Sequence, residues 1–123
     1  MTNIDIVRDW IDGYLRAWAS NDPDDIRALF TDDAVYSGRP HDPDAWRGRE
    51  GIVAGWLEHR DDPDNWSFEY EVLTVDGDRA FVQAVTVYSD GPDYDNLWII
   101  TFDGDRASEF TEWYMALNRP RAE

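Results

Sequence analysis

Trp66-Ser67-Phe68-Glu69-Tyr70-Glu71-Val72 alternates aromatic or branched apolar residues with polar ones. A period of two marks a strand with one buried and one wet face. Asp76-Gly77 follows as a hairpin corner, and a second strand is expected from about Arg79 to Ser89. After a loop from Asp90 to Asp95, a further strand spans Asn96 to Phe102. A second Asp-Gly corner at Asp103-Gly104 leads into a last strand from Ala107 to Met115. The C-terminal half therefore reads as a four-stranded antiparallel meander. The string Asp-Gly-Asp-Arg-Ala occurs at both corners, Asp76–Ala80 and Asp103–Ala107. It reads as two similar turns, because the further carboxylates and closing Glu of a calcium loop are missing.

Upstream, the period changes to that of helices. Ile4, Val7, Ile11, Tyr14 or Leu15, and Trp18 fall on one face, and Thr2 and Asp5 have capping-box spacing, so a helix is expected near residues 3–20. Asp22 reads as the N-cap of a second helix, with Pro23 first inside it and Asp24 and Asp25 at the positive end of its dipole. Ile26, Leu29 and Phe30 form its apolar face. A short strand is expected at Ala34–Ser37, then a loop from Gly38 to Gly48. A third helix runs from about Arg49 to His59 with Ile52, Val53, Trp56 and Leu57 inward, and Asp61 to Asn65 reads as a solvated linker. Helices grouped before a run of strands indicate an α+β fold, one curved, mainly antiparallel sheet covered by three helices.

The composition limits the function classes. A chain of 123 residues suits one domain over residues 1–123. The net charge is −16, all basic residues are Arg, and Asp greatly outnumbers Glu. Such a surface repels phosphate backbones and anionic lipids, so neither nucleic acid nor membrane is an expected partner. The acid reads as a solvated face or, more sharply, as an adaptation to high salt, where screening lets dense like charge coexist. There is no Cys, no basic–apolar leader and no apolar run of membrane-spanning length, which is the pattern of a cytoplasmic protein. Two His without clustered carboxylates do not suggest a metal site, and no phosphate loop or nucleophile motif is present, so no cofactor is expected.

Several local strings carry a family resemblance: Trp18-Ala19-Ser20-Asn21-Asp22-Pro23, Leu29-Phe30-Thr31-Asp32-Asp33-Ala34, Trp46-Arg47-Gly48-Arg49-Glu50-Gly51-Ile52 and Glu109-Phe110-Thr111-Glu112-Trp113-Tyr114-Met115. With the element order, they resemble the nuclear transport factor 2-like superfamily and, within it, the SnoaL-like proteins. The resemblance implies a cone, a bent sheet around the first helix with a pocket between them, and a homodimer through the outer sheet face. It places Phe110, Glu112 and Tyr114 inside, and Thr111, Trp113 and Met115 outside. The superfamily hosts isomerases, hydrolases, dehydratases, cyclases and non-catalytic binders, so the resemblance fixes no activity.

Glu112 is the leading catalytic candidate. A carboxyl facing an apolar cavity has its pKa raised towards that of a general base, and the position resembles an acidic residue of limonene epoxide hydrolase-like members. The alternative is a structural anchor paired with an Arg or a Tyr hydroxyl. Tyr14 stands where ketosteroid isomerase-like members carry an oxyanion-stabilising Tyr; otherwise it is a core aromatic with a satisfied hydroxyl. His41, in the loop beside Arg39-Pro40, is either a proton shuttle at the pocket mouth or a solvent-exposed side chain. His59 reads as a dipole partner at the end of the third helix. Trp18, Phe30, Tyr36 and Trp56 are candidate pocket walls, as are Trp98, Phe110 and Tyr114. Asn96 and Gln83 are polar residues within strands that face either a ligand or the outer surface.

The departures are equally specific. Gly38 stands where the isomerase pattern wants an acidic base, and Trp98 where it wants an Asp. The epoxide hydrolase pattern wants an Arg–x–Asp pair, and Gln83 to Val87 contains neither. The expected ligand is a small hydrophobic molecule, turned over by cofactor-free acid–base chemistry or merely bound. A scaffold whose own side chains fill the cone is the remaining alternative.

Overall fold

The computed structural model describes residues 2–62, 64–89 and 92–116. Asp90 and Gly91 of the expected loop and Pro63 of the expected linker lie outside the described residues. Helix α1, Ile4–Ser20, is capped by Asn3, whose side chain accepts the Ile6 N–H at 3.0 Å. The expected cap at Thr2 is one residue early, because Asn3 both adopts extended backbone and reaches the N–H three residues on. The helix stops at Asn21, in left-handed conformation at φ 52°. Its buried stripe is Val7, Trp10, Ile11, Tyr14 and Ala17; Ile4 falls off it, at 41% exposed. Helix α2, Pro23–Arg27, begins as expected, with Asp22 accepting the Asp24 N–H at 2.8 Å.

Strand β1, Phe30–Ser37, starts four residues before the expected Ala34, because Phe30 pairs with Ala107 of the last strand across an irregular register. The expected loop from Gly38 to Gly48 contains β2, Trp46–Arg47, which pairs antiparallel with β1 through Tyr36↔Trp46. Two residues in a Pro- and Asp-rich stretch are too few for a period to show. Helix α3 is Arg49–Glu58, with His59 as its C-cap. The meander follows as β3 (Trp66–Asp76), β4 (Arg79–Tyr88), β5 (Tyr94–Asp103) and β6 (Arg106–Ala116). At both corners the positive φ falls on Gly, Gly77 at 62° and Gly104 at 66°, each the first of two loop residues.

The sheet order is β2-β1-β6-β5-β4-β3, antiparallel throughout except for the β1–β6 pair. Among the described residues the fold is thus α+β, with three helices and a six-stranded, mostly antiparallel sheet. Core packing lies on one sheet face: Val82, Trp98, Ile100 and Phe110 are buried with Val7 and Ile11 of α1 and Ile52 of α3. The opposite face leaves Val85, Val87 and Met115 exposed, while Trp113 is half-buried rather than exposed. Among the described residues no helix is long and apolar enough to cross a membrane.

Candidate active site

Strand alternation and helical spacing turn one set of polar groups towards a shared space. Tyr14 and Trp18, four apart, project from the same face of α1. Asn96 and Trp98 on β5, and Glu112 and Tyr114 on β6, project from the inner face of the sheet. Tyr36 of β1, Trp46 of β2, Trp56 of α3, Thr86 and Tyr88 of β4, and Tyr94 of β5 join them around a cavity of about 430 Å³. That is within the usual range for small-molecule sites, roughly 300–1,000 Å³.

Glu112 is held from two sides. Its Oε2 accepts the Trp98 indole N–H and an Asn96 amide N–H, each at 2.8 Å. Trp98 is its direct cross-strand neighbour. Asn96 is itself oriented, since its Oδ1 accepts the Thr86 hydroxyl at 2.8 Å and its amide must then face Glu112. Oε1 has no donor among the described residues. Burial pushes the carboxyl above the usual carboxylate range; the Trp98 and Asn96 hydrogen bonds pull it partly back, and nearby Asp61 adds to the rise.

Across the cavity the Tyr14 and Tyr36 hydroxyls lie 2.7 Å apart. Burial raises both phenols well above their ordinary pKa, and Glu112 raises them further. Both therefore stay protonated at neutral pH. The shared bond consumes one O–H hydrogen and leaves the other to donate. Phe110 lies behind the pair, with ring centroids 5.6 Å from Tyr14 and 4.6 Å from Tyr36.

A second carboxylate, Asp61, follows α3. Its Oδ2 accepts the Trp18 indole N–H and the Tyr88 hydroxyl, each at 3.0 Å. Trp18 is also stacked on Trp66 at 3.8 Å. Burial and the Asp61 carboxylate together raise the Tyr88 phenol.

Of the residues singled out in the sequence, Tyr14, Trp18, Tyr36, Trp56, Trp98, Glu112 and Tyr114 meet at this cavity. Phe30 and Phe110 do not line it. Both are fully buried, and Phe30 packs edge-on against Trp10 beneath the cavity wall. His41 does not reach it either: it is exposed in the loop before β2, at φ 55°. His59 lines the rim instead, with Nδ1 3.1 Å from the Gly55 carbonyl. Asn96 faces inward and Gln83 outward. Sequence reasoning passed over Asp61, Thr86 and Tyr88. Inward alternation from Val82 and Ala84 points to Thr86 and Tyr88; nothing local separates Asp61 from Asp62 and Asp64.

The fold has wide company. The structure of an NTF-2 like protein of unknown function from Burkholderia xenovorans LB400 superposes with a TM-score of 0.73 at 19% identity, over 95% of this chain and 88% of that one. An NTF2-like protein of unknown function from Mesorhizobium loti gives 0.71 at 18% identity, over 94% and 95%. An LEH-like epoxide hydrolase from M. tuberculosis gives 0.60 at 15% identity, over 86% and 80%. At these identities the likeness is one of fold. No curated protein matches the sequence. Residues 11–118 match the SnoaL-like domain, so the chain belongs to the SnoaL-like family, with the NTF2-like fold.

Proposed function

We propose that this chain binds a small, largely apolar molecule and acts on it by acid–base chemistry using only its own side chains. The observation that carries this reading is the placement of Glu112 and the Tyr14–Tyr36 pair on the walls of one cavity. In the reaction inferred, the Glu112 carboxylate takes a proton from a carbon next to a carbonyl. The C–H electron pair forms a C=C bond, and the carbonyl oxygen becomes an enolate oxygen. The free phenolic O–H of the pair donates to that oxygen, in the manner of an oxyanion hole. The proton returns from Glu112 to the same or a conjugated carbon, completing an exchange or an isomerisation. The base must be ionised, so the rate rises with pH through the raised pKa of Glu112.

Hydrogen–deuterium exchange at the α-carbons of a panel of cyclic ketones and enones, followed by NMR, tests the proposal. Glu112→Gln is expected to lower the catalysed exchange by about 10²–10⁴-fold, the usual contribution of a general base. If wild type and variant exchange the panel equally, the catalytic reading fails and a non-catalytic binder takes its place. We also infer that a second copy covers the outer sheet face. Exposed Val85, Val87 and Met115, beside half-buried Trp113, support that homodimer.

A further inference from the structure

The cavity wall has an unusual composition for an apolar site. Nine Trp and Tyr side chains line it, and among the described residues no Leu, Ile, Val or Met does. A hydrocarbon ligand does not require this, since aliphatic walls serve it equally well. Aromatic faces differ from aliphatic ones in one respect: they carry the negative end of a quadrupole and attract cations.

The hydrogen-bond inventory of the wall points the same way. The indole N–H of Trp18 and the hydroxyl of Tyr88 are both given to Asp61. The indole N–H of Trp98 and an Asn96 amide N–H go to Glu112, and the Thr86 hydroxyl goes to Asn96. The donors beside Asp61 and Glu112 are thus spent on these two carboxyl groups, while one O–H of the Tyr14–Tyr36 pair stays free to donate. Apart from such donors, a ligand meets π surface and the two carboxyl groups. These two are near enough for Asp61 to disfavour ionisation of Glu112. The two basic side chains at the cavity, His59 and Arg60, are exposed at its rim. Arg60 donates to the Leu57 carbonyl at 2.9 Å. A net charge of −16 adds a long-range field that attracts cations and repels anions.

We infer that the cavity takes a small organic cation, an aromatic or apolar body bearing an ammonium group, with Asp61 as counter-ion and the Trp and Tyr faces as the cage. The inference rests on the reading of this cavity as a small-molecule site and names the class of molecule. A single positive charge there meets both carboxyl groups and the ring faces at once.

The test compares two probes of one shape. Trimethylphenylammonium and tert-butylbenzene differ by a charged nitrogen in place of a carbon. Each is titrated into the protein at neutral pH and low salt, with tryptophan emission as readout. The cation is expected to bind at least about tenfold more tightly, because the desolvated cation–π contacts and the Asp61 charge act on it alone. Asp61→Asn keeps an acceptor for Trp18 and Tyr88 but removes the charge. It is expected to weaken trimethylphenylammonium several-fold and leave tert-butylbenzene within about twofold, a difference large enough to separate charge from packing.

Equal binding of the two probes, or preference for tert-butylbenzene, overturns the cation inference and leaves the small-molecule site standing. Binding of neither overturns both. An unchanged preference in Asp61→Asn overturns the assignment of Asp61 as counter-ion. If that variant does not fold, the wild-type comparison of the two probes still decides the inference.

Discussion

Glu112 keeps its proton to higher pH when the chain is folded than when it is unfolded, because burial outweighs the two hydrogen bonds its carboxylate accepts. Between the unfolded value of about 4.3 and the raised folded one, the native state therefore binds more protons. Stability falls as pH rises through that window, by at most about 1.4 kcal/mol per pH unit for one group. The contribution is fully present below the unfolded pKa and lost above the folded one. Glu112→Gln has no such slope, and its side-chain oxygen still accepts from Trp98 and Asn96. The difference in urea midpoint between variant and wild type is expected to move in favour of Gln as pH climbs from 4 to 8. A flat difference across that range would show that Glu112 titrates in the fold as it does in the unfolded chain. Alternation put Glu112 on one face with Phe110 and Tyr114, and the family resemblance, not the pattern, turned that face inward. The partners that orient Glu112 are not neighbours in sequence: Asn96 and Trp98 lie 16 and 14 positions away and meet it only through strand pairing. Asp61 was illegible for a related reason, since its donors Trp18 and Tyr88 lie 43 and 27 positions away in opposite halves of the chain.

Among the elements, α3 and β2 show how an irregular stretch builds a wall of the site. Trp46 of β2 is stacked on Tyr36 at 4.8 Å, and its indole lies directly against Gly55 of α3. A Cβ at Gly55 would overlap that ring, so the helix accepts a glycine in its interior in exchange for the close approach. Gly51, in the same helix, has no such neighbour within 4 Å. The two positions therefore separate helix propensity from packing. Gly51→Ala is expected to stabilise the chain by about 0.5–1 kcal/mol, the intrinsic gain. Gly55→Ala is expected to forfeit that gain and lose about 1–2 kcal/mol net, because the displaced indole costs roughly 1–3 kcal/mol by overpacking. Urea denaturation of both variants measures this; equal stabilisation would mean that Trp46 moves aside freely. Helices α1 and α3 and the four meander strands were readable in the sequence because each carries several periods of its pattern, and the short α2 because Asp22-Pro23 marks its start. Strand β2 and the early start of β1 were not, because both depend on partners: Tyr36 for Trp46, and Ala107 for Phe30.

At the scale of the whole molecule, a net charge of −16 opposes the covering of an apolar face by a second, equally charged copy. The outer sheet face joins the two effects, since exposed Val85, Val87 and Met115 share it with exposed Glu69, Glu71 and Glu109. Like charges on paired faces repel over a screening length of about 10 Å at 0.1 M salt and about 3 Å at 1 M. Salt should therefore act twice, relieving repulsion within each copy and between copies, while strengthening apolar association little by comparison. Both the melting temperature and the dimer fraction are expected to rise between about 0.1 M and 1 M sodium chloride. Val85→Asp places a further carboxylate on that face, beside Glu69 of the neighbouring strand. It is expected to leave a monomer at 1 M salt in sedimentation velocity, with the salt-dependent gain in melting temperature reduced but not abolished. A wild-type melting temperature indifferent to salt would reduce the acidic surface to a means of solubility. A salt-dependent melting temperature with a monomer throughout would confine the repulsion to the single chain and remove the outer face as the site of assembly.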